Sequence, residues 1–197
     1  PAKGWPLLVY LHGYVPDTMK INPWLPGEDF YKLSDEKGFM VLIPYGRRNT
    51  DFEGIGEQDV LTAIAETKKH YAVDPDRVFL GGPSMGAYGV YVIGLHYPDV
   101  FAGLVPMAGR SIPFVVEQRY PDNIPPFKRI AVESNTPIAL AENAKHLPIY
   151  LQQGELDYLI NPEHSRRLAA KWKALKYPIT YEEWQGHDHY IYWEMKS

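Results

Sequence analysis

The stretch VFLGGPSMGAYG, residues 78–89, decides how the rest of the chain is read. Val78-Phe79-Leu80 is a short β-rich apolar run, and the residues from Met85 to about His96 have helical character. The pentapeptide Gly82-Pro83-Ser84-Met85-Gly86 therefore sits on a sharp turn from strand to helix. A side chain on such a turn stands clear of the sheet. Glycines two before and two after it let the strand and helix backbones approach without a Cβ clash. The helix N-terminus behind Ser84 favours negative charge nearby. Gly-x-Ser-x-Gly in this context marks Ser84 as a candidate nucleophile, with Gly82 and Gly86 as the glycines of its elbow.

Working outward, short apolar runs alternate with segments of helical period. The strand-like runs are Leu7 to Leu11, Phe39 to Ile43, Val78 to Leu80, Leu104 to Met107, Ile149 to Leu151 and Ile179 to Trp184. This alternation predicts an α/β fold, a parallel sheet covered by helices. Glu57 to His70 places Val60, Leu61, Ile64 and Ala65 at core-facing spacing, with acids early and Lys68, Lys69 and His70 late, matching the helix dipole. Asn161-Pro162-Glu163 reads as a cap, a first-turn proline and an acid ahead of a helix that buries Leu168, Ala169 and Trp172. Residues 111–135 carry Pro113, Pro121, Pro125 and Pro126 without a sustained period and read as a long, lid-like loop over the site. The first strand follows Pro1 almost at once, so upstream strands are expected beyond the given sequence.

At 197 residues the chain fits one domain, spanning 1–197 and long enough to bury roughly 70% of its unfolded surface. Its formal charge of -4, from 20 Lys and Arg against 24 Asp and Glu, leaves no basic stripe for nucleic acid. No apolar run reaches the roughly 18 residues of a membrane helix, and the first residues lack the order of a secretory leader. Without cysteine there is no disulfide, no thiolate nucleophile and no cysteine-bound zinc. The compartment stays open, as does the oligomeric state.

A serine nucleophile needs donors for the oxyanion, an acid and a base. Leu11-His12-Gly13-Tyr14 ends the first strand, and its glycine lets the chain turn so that the Tyr14 amide faces Ser84; the Met85 amide is the second donor. Asp157 stands three residues past Gly154, the glycine ending the Ile149 run, with Glu155 in reserve; the alternative for Asp157 is a turn aspartate. Near the C-terminus, Gln185-Gly186-His187-Asp188-His189-Tyr190 supplies two histidines. His187 follows the glycine at once, where the chain is still leaving the sheet, whereas His189 has two more residues of reach. His187-x-His189 could instead hold a metal, but no helical His-Glu motif or Cys ligand accompanies it. Tyr14, Trp24, Tyr88, Trp184 and Tyr190 are candidates to line a pocket, with core or edge packing as the alternative.

Taken together, the blocks Pro6 to Gly13, Asp74 to Val78, Gly82 to Gly86, Tyr97 to Ala102 and Gly154 to Asp157 resemble the α/β-hydrolase superfamily. Within it they are similar to single-domain bacterial esterases related to the prolyl-oligopeptidase catalytic domain. The resemblance implies a mostly parallel sheet of about six strands with helices on both faces, a three-layer sandwich. It also implies the chain order nucleophile, acid, base, hence Ser84, Asp157 and His189, because Gly-x-Asp-His in related esterases makes the histidine after the aspartate the base. Pro83 and Ala87 depart from the family's usual residues without removing a reacting group.

The implied reaction is acyl transfer to water through an acyl-enzyme, with no cofactor and no metal. The implied substrate is a small, aryl or polysaccharide-linked ester, feruloyl or acetyl esters among them. The competing readings are a prolyl-oligopeptidase-like serine peptidase, a non-catalytic binding protein on a hydrolase fold, and a metal hydrolase.

Overall fold

In the computed structural model the described residues are 3–16, 28–112, 125–127, 130 and 135–194. Most of the expected lid, and Trp24, lie outside them. Six strands form one all-parallel sheet: β1 Trp5–Tyr10, β2 Met40–Leu42, β3 Val73–Pro83, β4 Gly103–Met107, β5 Ile149–Gly154 and β6 Ile179–Trp184, in the order β2-β1-β3-β4-β5-β6. The helices are α1 Glu28–Lys37, α2 Ile55–His70, α3 Met85–His96, α4 Pro137–Leu140, α5 Glu163–Ala174 and α6 Ile191–Glu194, with a 3₁₀ turn at Ala141–Ala144.

The register explains where the core sits. Val9, Leu80, Leu104, Ile149 and Ile179 stand side by side across five strands. Strand side chains alternate in direction, so this row and its period-two neighbours Leu7, Leu11, Val78 and Leu151 share one face. They join a single core with Val60 and Ile64 of α2, Val90 and Tyr91 of α3, and Leu168 and Trp172 of α5. The opposite face carries α1, whose Phe30 ring packs 5.9 Å from that of Tyr10. Helices thus lie on both faces, as a three-layer fold requires.

Each helix reflects its burial. In α3, eleven of twelve residues are buried, so it has no polar stripe; it lies between β3 and β4 on one side and α4 and the 3₁₀ turn on the other. One carbonyl of its last turn, that of Leu95, accepts Asn143 Nδ2 at 2.9 Å. Trp172 of α5 is fully buried, its indole N–H donating to the Ala141 carbonyl at 2.8 Å. Asn161 Oδ1 accepts the Glu163 amide at 3.0 Å, but α5 opens at Glu163, so Pro162 stands at the N-cap position rather than in the first turn and Asn161 one residue before it. The spacing misplaces one residue of α2. Ala65 is exposed, because the buried row runs Glu57, Val60, Ile64 and the next position turns past its edge.

Strand β3 extends well beyond Val78 to Leu80. Its last residues, Gly81, Gly82 and Pro83, stay paired with Val105, Pro106 and Met107, which carries the chain in register to Ser84. At its start the carboxylate of Asp74 accepts Arg77 Nε at 2.7 Å and the Asp76 amide at 3.1 Å, while Arg77 reaches the Gly4 carbonyl at 3.0 Å. This strut ties β3 to β1 at the edge opposite the site. The Arg77 guanidinium and the Asp76 amide hold the Asp74 carboxyl below its usual range.

A depressed folded-state value means that the carboxylate stabilises the fold above the ordinary aspartate range, and that this contribution disappears as pH falls through the folded value. Asp74→Asn should therefore lower the thermal midpoint at pH 7, and the gap to the wild-type protein should close on acidification below about pH 4. Melting curves at the two pH values check this.

Candidate active site

Parallel strands deliver their C-terminal ends to one edge, and Tyr14, Ser84, Asp157 and His189 follow strands there. Ser84 follows β3 directly and takes φ 56° and ψ -119°. For a residue with a Cβ this left-handed backbone costs about 1–3 kcal/mol. The surroundings hold it there: the Ser84 amide donates to the Met107 carbonyl at 2.8 Å, and the Ser84 carbonyl accepts the Tyr88 amide at 3.2 Å. A Cβ on Gly82 or Gly86 would collide with the Leu11 carbonyl oxygen. The two glycines therefore let the end of β1 run against the elbow. Ser84 occupies the cap position of α3, yet its side chain makes no capping hydrogen bond. Met85 begins the helix, where the amide has no intrahelical partner.

The turn after β1 lies alongside. A Cβ on Gly13 would come within 3.8 Å of the Ser84 Cβ. His12 is fully buried, with its ring nitrogens 2.7 Å from the Gly13 carbonyl oxygen and 3.0 Å from that of Tyr45. Val15 is clamped by Asn49, which accepts its amide at 2.9 Å and donates to its carbonyl at 2.8 Å, and Arg48 reaches the Pro16 carbonyl at 2.7 Å. Tyr14 thus belongs to a turn fixed on both sides and is itself 58% exposed.

On the other side of Ser84, beyond β4, the ends of β5 and β6 carry Asp157 and the histidines. Asp157 Oδ2 lies 2.7 Å from His189 Nδ1, both residues buried. Asp157 Oδ1 accepts the amides of Leu159 and Ile160 at 2.9 and 2.8 Å. The turn aspartate and the histidine partner are thus the same residue, with one oxygen for each role. Glu155 instead accepts the Gly186 amide at 2.9 Å and so braces the turn that ends β6.

The two histidines have separate partners. His187 Nδ1 lies 2.8 Å from the Gln185 carbonyl oxygen and its ring packs edge-on to Trp184 at 5.5 Å. Asp188 accepts the Tyr190 amide at 2.8 Å, which ties down the loop. Gly154 makes room for this segment, since a Cβ there would lie 2.7 Å from the His187 carbonyl oxygen and collide with that of Asp188. Among the described residues no group of three or more His, Asp or Glu is arranged to hold a metal ion.

Of the aromatic candidates, Tyr88 is buried and donates to Glu53 Oε1 at 2.6 Å. Burial raises the Glu53 carboxyl above its ordinary range, against the opposing effect of that hydrogen bond. Tyr190 is partly exposed and packs edge-on to His189, and Trp184 is half-buried. Gln153 and Ser165, which no sequence motif marks, complete the buried network around Asp157. Gln153 Nε2 donates to Asp157 Oδ2 at 2.8 Å, and Ser165 Oγ donates to Gln153 Oε1 at 2.8 Å. Their only signal was a glutamine at a position of β5 that the strand's alternation points into the core. Elsewhere, Ser111 Oγ lies 3.0 Å from His164 Nδ1 and fastens the segment after β4 to α5.

The family model described as "Putative esterase" matches residues 3–196. Among curated proteins, the chain is 32% identical over 115 residues to a bifunctional acetylxylan esterase/xylanase of Neocallimastix patriciarum, covering 56% of this chain and 17% of that protein. It is 48% identical over 118 residues to poly(3-hydroxyalkanoate) depolymerase C of Paucimonas lemoignei, covering 53% and 28%. The chain spans less than half the length of both. Among solved structures, S-formylglutathione hydrolase of Staphylococcus aureus aligns with a TM-score of 0.72 at 19% identity, covering 98% of this chain and 78% of that one. An acylaminoacyl peptidase of Pyrococcus horikoshii aligns at 0.75 and 19%, covering 95% and 33%. At these identities the structural likeness speaks for the fold. No helix among the described residues is long and apolar enough to cross a membrane. With the family match spanning nearly its whole length and a six-stranded parallel sheet carrying a serine elbow, the chain belongs to the esterase family of the α/β-hydrolase superfamily.

Proposed function

We propose that the chain is the catalytic unit of a serine carboxylic ester hydrolase, with Ser84 as nucleophile, His189 as base and Asp157 as its acid partner. The observation that carries this reading is the buried 2.7 Å contact between His189 Nδ1 and Asp157 Oδ2, at the same sheet edge as a serine held in a left-handed elbow. With Nδ1–H donated to Asp157, the His189 tautomer leaves Nε2 as an acceptor.

In the proposed reaction, Ser84 Oγ attacks the ester carbonyl carbon as its proton passes to His189 Nε2. The carbonyl π electrons move to oxygen, and the resulting oxyanion is met by the amides of Met85 and Tyr14. Each such donor is worth about 2.7–4 kcal/mol in the transition state. Collapse of the intermediate expels the alcohol, which takes the proton from His189. Water then attacks the acyl-enzyme, again giving its proton to Nε2, and the acid departs as Ser84 recovers its hydrogen. Asp157 stabilises the transient imidazolium throughout and keeps its own charge.

Short acyl esters on an aryl or carbohydrate alcohol are the substrate class this reading favours, supported by the match to an acetylxylan esterase/xylanase. A peptidase uses the same machinery, and Bacillus subtilis YtmA, a peptidase by name, is 25% identical over 172 residues. Parallel assays on matched esters and anilides separate the two: the ester reading expects turnover of the ester alone.

Ser84→Ala should lower hydrolysis of short-chain p-nitrophenyl esters by on the order of 10⁴ to 10⁶ while leaving the fold intact. A folded variant with near wild-type turnover would end the proposal. His189→Ala should abolish acylation, whereas His187→Ala, which removes a contact to the Gln185 carbonyl and the ring contact to Trp184, should lose about tenfold or less. Activity should survive chelation, since the two histidines have different partners rather than a shared ion. If His187→Ala is the inactive variant, or if chelation removes activity reversibly, the assignment is wrong.

A further inference from the structure

We propose that Gln153, held by Ser165, is a positioning residue that sets the orientation of the Asp157 carboxylate toward His189. The proposal rests on the assignment of His189 and Asp157 as base and acid partner. Gln153 has no solvent exposure, Ser165 has none, and Asp157 and His189 are buried beside them. The hydrogen bonds form one chain. Ser165 Oγ donates to Gln153 Oε1 at 2.8 Å, Gln153 Nε2 donates to Asp157 Oδ2 at 2.8 Å, and the same oxygen meets His189 Nδ1 at 2.7 Å.

The chemistry of the carboxamide makes the arrangement directional. An ionised carboxylate only accepts, so it requires the NH₂ end of Gln153. The carboxylate thereby fixes the amide against a flip, and the Ser165 hydroxyl, able to donate, meets the oxygen end. The other Asp157 oxygen is held by the amides of Leu159 and Ile160, two and three residues along the same loop. Those bonds fix the carboxylate only relative to its own loop. Gln153 adds a third point on β5, and Ser165 refers that point to α5, so rotation of the carboxylate is set by the rigid sheet and helix. The hydrogen bond from Gln153 also withdraws charge from the oxygen facing His189, which tunes the strength of the Asp157–His189 contact.

The test uses Gln153→Met, Ser165→Ala and the double variant. Gln153→Met keeps side-chain volume but removes the donor to Asp157 and strands the Ser165 hydroxyl. The double variant removes that stranded group as well. Gln153→Met should lower kcat for p-nitrophenyl acetate about 10- to 100-fold with KM within about twofold, the scale of a displaced reacting group. Ser165→Ala should lose less. The double variant should regain thermal stability lost by Gln153→Met yet keep its low kcat, with losses that do not add.

The downfield proton resonance of His189 Nδ1–H should move in Gln153→Met and in the double variant, and Asp157→Asn should identify that resonance by removing it. If the double variant regains wild-type kcat along with its stability, or if the resonance stays in place in the stable double variant, Gln153 is only a packed core residue and the proposal fails. Failure of the nucleophile assignment has a different signature, an active Ser84→Ala protein, and the proton resonance reads the His189–Asp157 contact regardless of that outcome.

Discussion

The site depends on the carbonyl of Leu11 lying against the β3–α3 elbow. Side chains at Gly82 and Gly86 would strike that oxygen, so the elbow closes only around two residues without a Cβ. The contact does two things at once. It allows Ser84 to be presented on a tight left-handed turn, and it brings the end of β1, with Gly13 and Tyr14, to the same place. The strain of about 1–3 kcal/mol at Ser84 is set against a core in which Leu80, Leu104 and most of α3 are buried. Truncating one such buried leucine typically costs about 2–5 kcal/mol, so the packing that fixes β3 and α3 outweighs the strain placed between them.

The Asp157–His189 pair is built by a second close approach. Gly154 lets the backbone of His187 and Asp188 pass over the end of β5, and the Leu156 amide donates to the His187 carbonyl at 2.9 Å. The β6 turn is thereby fastened to the loop that bears Asp157 before either side chain is considered. Glu155, Asp188 and Gln153 each supply one further bond to these two loops. The three acids near the histidine thus have distinct roles, since Asp157 faces the ring while Glu155 and Asp188 hold backbone.

Much of this was legible in the sequence because it is written in local patterns. Gly82-x-Ser84-x-Gly86 needs only a strand before it and a helix after it, and the six apolar runs named all six strands. Asp157 and His189 were reachable because each follows a strand-ending glycine, Gly154 or Gly186, at a distance that suits a loop. The contributions of Gln153, Ser165 and Asn49 were not legible, because they depend on which segments the fold brings together: Gln153 meets a helix twelve residues on, and Asn49 clamps Val15 from 34 residues away. Ala65 shows the limit of periodicity, which gives the angle of a helical stripe but not where the partner surface stops.

The most direct test of Ser84 as nucleophile is labelling of the folded protein with a serine-reactive alkyl phosphonate, followed by peptide mapping of the adduct. The expected result is one phosphonate per chain, on the peptide that carries Ser84, and slow labelling in His189→Ala because the base is missing. An adduct on Ser111 or Ser165, or an esterase-active protein that takes up no label, would contradict it.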